Sequence, residues 1–453
     1  MSVLDRNRTP ASGAIRDFDF PEVDRRDLTN GIDLRVSRLS RLPLVSVNLF
    51  VRAGESALTP DVGGLSVLAG DAIEGGTRKR SGTELAEASE RIGVRMGATT
   101  GWEGTSFSMS CLAERLEEGL DLLAEAILEP DFPEDEVARV RDQQLASIRA
   151  RAMDPGSIAS EHALFRYFAE GTPYARPQSG TEASVSALGR DHLRGYADAH
   201  YRPGGAGLIV VGDVSGDEVR DVAERRLGSW TGTPPAGDDF EVRPRETERR
   251  VWIVDRPGAV QTEIRVGHVG VARSTPDYFP LNIANLLFGG SFTSRLNLNL
   301  REKHGFTYGI RSRFGFRSRP GSFQVSTSVG TEVTAGAVTE IFRELDGLVS
   351  GGPTDEEVAA SRDYAAGIFG LQLETAGQIA ARISQMVVYG LADDYYARYR
   401  DMMRAVTTDE VAEAVRRHMR PHEAQVILVG DAEAIQGSVQ ELGLGPIEVI
   451  PAD

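Results

Sequence analysis

The sequence predicts an α+β protein made of two homologous domains, each an antiparallel sheet with helices packed on one face. Three observations carry this reading. At 453 residues the chain exceeds what one ordinary hydrophobic core serves. The chain also repeats itself: HYRPGGAGLIVVGD, His200 to Asp213, returns as HMRPHEAQVILVGD, His418 to Asp431, with seven residues between Arg-Pro and Val-Gly-Asp in both. That offset of 218 is kept by Asp191 and Asp409, and becomes 221 for DEVARVRD ending at Asp142 against EEVAASRD ending at Asp363. So small a drift marks tandem copies of one domain, because solenoid periods are far shorter, roughly 20–50 residues. Finally, stretches of period-2 hydrophobicity alternate with stretches of helical period. The seam falls in GSWTGTPPAGDDFEVRPRE, which clusters Gly, Pro and Asp without apolar periodicity. Residues 1–18 read as a polar arm, 19–231 as the first domain, 232–247 as a linker and 248–453 as the second domain.

In chain order, LTNGIDLRVSRLSRLPLVSVNLFVRAGES reads as two strands, with Asn30-Gly31 as turn chemistry and Val45, Val47, Leu49 and Val51 on one face. VGGLSVLAGDAIEGGT reads as a Gly-bounded helix, TELAEASERIGVRMG as a helix stopped at Gly93, and SFSMSC as a strand. Leu116, Leu120, Leu123 and Ile127 make a helical stripe ended by Pro130; PEDEVARVRDQQLASIRAR then opens a helix with Pro and acids in its first turn. Mixed helices run from Pro155 to Tyr201, followed by the apolar strand LIVVGD and a short helix ending near Leu227.

Composition excludes several classes of function. Charged residues make up 26% and hydrophobic ones 41%, an ordinary globular balance, and the formal net charge of −17 argues against a nucleic-acid binder. With no apolar leader and no run of 18 or more apolar residues, the expectation is a cytoplasmic protein that does not enter a membrane. The single cysteine, Cys111, excludes an internal disulfide and shares the parity of Phe107 and Met109, as a core residue would. None of the seven histidines forms a metal motif; His418 and His422 flank Pro421 and read as solvated residues beside a strand. GxSxG and P-loop motifs are absent, and Gly pairs such as Gly289-Gly290 are followed by no Lys-Ser/Thr.

The most informative stretch is LLFGGSFTSRLNLNLREKHGFTYGIRS, Leu286 to Ser312. It reads as a Gly-punctuated turn, a helix bearing Arg295 and Arg301, a stop at Gly305, and a strand opening at Phe306. Tyr308, Ile310, Phe314 and Phe316 share one parity and Arg311, Arg313, Arg317 and Arg319 the other. Taken alone, Arg301 is a surface cation compensating the helix dipole and Tyr308 a half-buried strand aromatic.

Together, LTNGIDLRV, LPLVSVNLFVRAGES, GGLSVLAGDAIEGGT, HYRPGGAGLIVVGD and FGGSFTSRLNLNLREKHGFTYGIRS resemble, in this order, the pitrilysin/insulinase family of zinc metallopeptidases, the inverzincins. That family carries H-x-x-E-H in its catalytic half. Laid on Gly64 to Thr77, the two histidine positions hold Val67 and Asp71, the glutamate position holds Gly70, and the distal glutamate ligand falls on Ser147. The resemblance therefore implies a degenerate motif, no zinc in this chain, and zinc in a partner. The family's second half-site, an Arg and a Tyr seven residues on that hold substrate and stabilise the oxyanion, falls on Arg301 and Tyr308, with Gly289, Gly290 and Ser291 beside them as substrate-binding positions. What this implies is the non-zinc subunit of a heterodimeric peptidase, inactive alone, that degrades peptides with a homologous H-x-x-E-H partner. A catalytically inert scaffold or assembly subunit of the same fold is the alternative.

Overall fold

The computed structural model describes Gly13 and residues 18–236 and 240–451, so most of the predicted arm and the middle of the linker lie outside the described residues. The first half contributes β1 (Asp24–Asp27), β2 (Asp33–Arg38), β3 (Leu44–Val51), β4 (Arg95–Thr100), β5 (Thr105–Leu112) and β6 (Gly207–Gly212). The second contributes β7 (Arg250–Asp255), β8 (Gln261–Val269), β9 (Ile310–Gly315), β10 (Ser322–Gly330), β11 (Gln425–Gly430) and β12 (Ile447–Pro451). Each set forms a six-stranded sheet, ordered β1-β2-β6-β3-β5-β4 and β12-β7-β11-β8-β10-β9. Five strands correspond one to one between the halves, which is the duplication read from the repeated segments. The sixth, at the outer edge, does not: β1 pairs antiparallel with β2, whereas β12 pairs parallel with β7.

The α+β class stands, with two sharpenings of the expected sheets. They are mixed, since β6 runs parallel to β2 and β11 parallel to β7. A parallel pair needs a long crossover, and the helices of each domain supply it. Nor are helices confined to one face. Both β6 and β11 are buried at every position, and their continuous apolar sequences are those of strands covered on both sides. The cover on the second face comes from the opposite half. The Pro155–Tyr167 helix lays Ile158, Ala159, Ala163 and Tyr167 against Val254, Val269, Ile427 and Val429. Reciprocally, the Ala376–Tyr389 helix lays Ile379, Ile383 and Met386 against Phe50, Ile209 and Val211. Each fully buried apolar side chain of this size contributes about 1.5–3 kcal/mol, so the exchange welds the halves together. Close approach is bought with glycine: a Cβ at Gly267 would lie 2.7 Å from the Tyr167 hydroxyl, and one at Gly207 2.6 Å from Val387.

Local signals behave as their chemistry demands. Gly31, at φ +85°, turns β1 into β2, and Gly93, at φ +69°, follows the Gly82–Arg91 helix. Cys111 is buried on β5 beside Phe107 and Met109, and burial pushes its thiol up to about 11. Strand β4, RMGATT, had no apolar alternation to announce it. No helix among the described residues is long and apolar enough to cross a membrane.

Candidate functional site

The Leu286–Ser312 segment is wound more loosely than expected. The Tyr278–Asn285 helix continues into π-helical turns at Leu286–Gly290, and a second π-helical stretch, Asn297–Lys303, ends before Gly305 at φ +65°. Such expanded turns are rare and concentrate at functional sites. The segment is pinned to the edge strand β9 by Asn297, which mimics a neighbouring peptide. Its Nδ2 donates to Ile310 O at 2.9 Å and its Oδ1 accepts from Ile310 N at 3.4 Å. Gly289 lies so close to β9 that a Cβ would sit 2.7 Å from the backbone N of Ser312.

One expectation fails here: the strand opens at Ile310, not Phe306. Residues 306–309 form an irregular turn in which Thr307 Oγ1 accepts from Gly309 N at 3.1 Å. Tyr308 is therefore no half-buried strand aromatic; it is 98% exposed. Ile310 and Phe314 do face the core, as their parity indicated. The Arg301 guanidinium lies 4.3 Å above the Phe292 ring and 3.6 Å from Glu302. By contrast Arg295 is committed to Glu357 at 2.6 and 2.7 Å and holds the segment to the Asp355–Leu371 helix.

These residues surround a cavity of about 990 Å³ lined by Gly289, Gly290, Ser291, Arg301 and Tyr308. Arg311, Arg313 and Arg317 add to its wall, and the crossing Pro155–Tyr167 helix completes it with Ser160 and Leu164. The predicted row of four arginines is split, because the strand ends at Gly315. Arg311 and Arg313 are exposed on β9, whereas Arg317 turns inward, 4.2 Å above the Tyr174 ring and 4.8 Å from Trp102. Burial among these rings holds the Arg317 pKa below the usual arginine value. Arg319 leaves the row to donate to Phe240 O at 2.6 Å.

The other predicted positions also converge. Val67, Gly70 and Asp71 on the Leu65–Asp71 helix and Ser147 on the Glu134–Met153 helix line one cavity of about 580 Å³. Zinc does not fit this donor set. Val67 and Gly70 have no ligating atom, and Arg151 donates to Ser147 Oγ at 3.0 Å, placing a cation where a ligand would be needed. A Cβ at Gly70 would meet Thr100 Oγ1 at 2.7 Å. Among the described residues no three His, Cys, Asp or Glu side chains converge on a metal position.

Several features were not read from the sequence. Beneath the helix carrying Val67, the wholly buried Glu55 carboxylate accepts from Gly64 N at 2.9 Å and from Ser66, and pairs with Arg176. Burial raises the Glu55 pKa, and Arg176 opposes that shift. A second, mainly apolar cavity of about 560 Å³, lined by Leu286, Leu287, Phe292, Leu298 and Tyr364 with Arg295, Glu356 and Glu357 also in its wall, adjoins the first. The two expected solvated histidines differ: His422 is 74% exposed, but His418 is packed away with its Nε2 2.6 Å from Asp277. Only proximity in the fold, 141 residues apart along the chain, creates that pair.

Comparison with known proteins bears on the family and the fold. A family model described as insulinase (peptidase family M16) matches residues 38–182, and one described as the peptidase M16 inactive domain matches residues 187–364. An uncharacterized zinc protease of Streptomyces coelicolor is 26% identical over 426 residues, 92% of this chain and 91% of that protein. The uncharacterized zinc protease YmxG of Bacillus subtilis is 25% identical over 361 residues, 80% of this chain and 87% of that protein. Among solved structures, a peptidase M16 inactive domain from Pseudomonas fluorescens shares the fold at a TM-score of 0.85 and 23% identity, covering 90% of this chain and 98% of that one. A protease from Helicobacter pylori does so at 0.83 and 18% identity, over 90% and 99%. With two models of one family laid end to end along most of its length, this chain belongs to the insulinase family of peptidases, M16.

Proposed function

We propose that this chain is the non-zinc subunit of a heterodimeric zinc peptidase, supplying Arg301 and Tyr308 to a homologous partner that bears H-x-x-E-H. The observation that carries the reading is Tyr308. A large ring 98% exposed gains nothing from packing. Its hydroxyl has no hydrogen-bond partner among the described residues, and it lines the same cavity as Arg301. A phenol and a guanidinium that converge on one space are the donors an acyl-transfer oxyanion needs. Beside them Gly290 is exposed and Ser291 partly so, while Gly289 is buried against β9; a peptide main chain would run past the first two. Val67, Gly70, Asp71 and Ser147 do not make a zinc ligand set, so the reading assigns zinc and the attacking water to the partner.

The test is co-expression with each homologue of the source organism that bears H-x-x-E-H, followed by size exclusion and a fluorogenic peptide assay. The expected result is a mixed dimer that cleaves while neither chain does alone. If none of these homologues associates, the inert-scaffold reading replaces this one.

A further inference from the structure

We infer that the larger cavity selects peptides by their carboxylates, with Arg311 and Arg313 as the specificity-determining side chains. This rests on the peptide-handling reading above and names the substrate class for that site.

The argument starts from charge. The chain carries 67 acidic against 50 basic side chains, and its arginines usually find carboxylates, as Arg295 and Arg176 do. The cavity breaks this habit: four arginines line it and no Asp or Glu does. Arg311 and Arg313 project from alternate positions of β9 and make no hydrogen bond or ion pair among the described residues. Deeper in the wall, Arg317 Nη1 is buried without a hydrogen-bond partner, its guanidinium held by aromatic faces instead. Planar forks left unpaired in a concave wall focus a positive field and match a carboxylate in two-point geometry.

The ligand is a peptide rather than a nucleic acid for two reasons. A net charge of −17 disfavours an extended polyanion overall. The apolar cavity alongside, which shares Phe292 and Tyr364 with the cationic one, offers an apolar side chain its own place. An acidic residue held in the cationic cavity, with an apolar neighbour placed against Leu286, Leu287 and Leu298, suits both; a phosphate backbone would also meet Glu356 and Glu357 in the second wall.

The test uses the full chain alone and fluorescence anisotropy. Labelled peptides of equal length carry Glu, Gln or Lys at two adjacent positions beside a leucine. The expected order of affinity is Glu above Gln above Lys, with the Glu preference about tenfold and shrinking as salt shortens the screening length. In the Arg311→Gln/Arg313→Gln double variant the Glu peptide falls to the level of the Gln peptide. The Gln peptide weakens much less than the Glu peptide, and the melting temperature stays unchanged because both side chains are exposed. Equal affinities, a Glu preference that survives in the double variant, no binding of any peptide, or displacement by a single-stranded oligonucleotide better than by unlabelled Glu peptide would each overturn the inference. A Glu preference in a chain that never yields a cleaving mixture leaves this inference standing and removes the heterodimer reading. A cleaving mixture indifferent to peptide charge does the reverse.

Discussion

The two cavities occupy corresponding places in the duplicated domain, each between the helical segment that follows the equivalent strands β3 and β8 and the edge strand, β4 or β9. They have opposite character. In the first half the cationic and amide donors are spent within the fold: Gln144 Nε2 donates to Ser179 O at 2.8 Å, and Arg151 reaches Ser147, Ser179 at 2.6 Å and Glu161 at 3.2 Å. In the second half Tyr308, Arg311 and Arg313 face the cavity without partners among the described residues. One copy of the domain ties up its donors in internal hydrogen bonds, and the other presents donors to whatever enters. Side chains satisfied within the fold serve stability, and those left unsatisfied are available for binding.

That contrast can be broken most severely through an arginine in each half. Arg176→Met strands the Glu55 carboxylate, whose side chain is wholly buried. It should cost about 3–5 kcal/mol of stability, read as a lower urea midpoint and melting temperature. Arg301→Ala should leave both unchanged and instead raise KM and lower kcat of the assembled peptidase, because a cation that holds the peptide backbone acts in the ground state too. A destabilised Arg301 variant would show that the contrast between the halves is false.

Tyr308→Phe sharpens it next. Removing one oxyanion donor should cost about 2.7–4 kcal/mol, a 100- to 1,000-fold fall in kcat. Partner binding and melting temperature should hold, since the ring is almost wholly in solvent. Loss of activity only in proportion to lost dimer would make the residue structural.

Smaller effects come from the backbone. Gly289→Ala must push β9 or Leu296 aside, because its Cβ would lie 2.6 Å from Ser312 Oγ and 2.9 Å from the Leu296 side chain. The expected loss is about 1–3 kcal/mol, the usual range for overpacking, with activity falling further than stability because the strand carrying Arg311 and Arg313 moves. An unchanged melting temperature would show that the approach of the π-helical turn to β9 is not tight.

The smallest expected effect is none at all. Metal analysis of the purified chain after dialysis should find no stoichiometric zinc, and a chelator should not alter its melting. One tightly bound zinc per chain would erase the difference between the two cavities.

The sequence by itself determined the duplication, the sites of the strands LIVVGD and QVILVG, and the core position of Cys111, whereas Arg301 with Tyr308, and Val67, Gly70 and Asp71 with Ser147, were singled out only through the family resemblance. The first three follow from local rules: residues two apart on a strand or three to four apart on a helix share a face, and a long repeat carries its fold with it. Only the tertiary structure decided that β6 and β11 run parallel to a neighbour and receive their second cover from the opposite half. The exposure of Tyr308, the divergence of Arg317 and Arg319 from Arg311 and Arg313, and the pairing of His418 with Asp277 were likewise settled there. Periodicity reports which residues share a face but not what is packed against it. Whether a polar side chain is spent or free depends on partners that are tens to hundreds of residues away in the chain: 141 for His418 and 121 for Arg176.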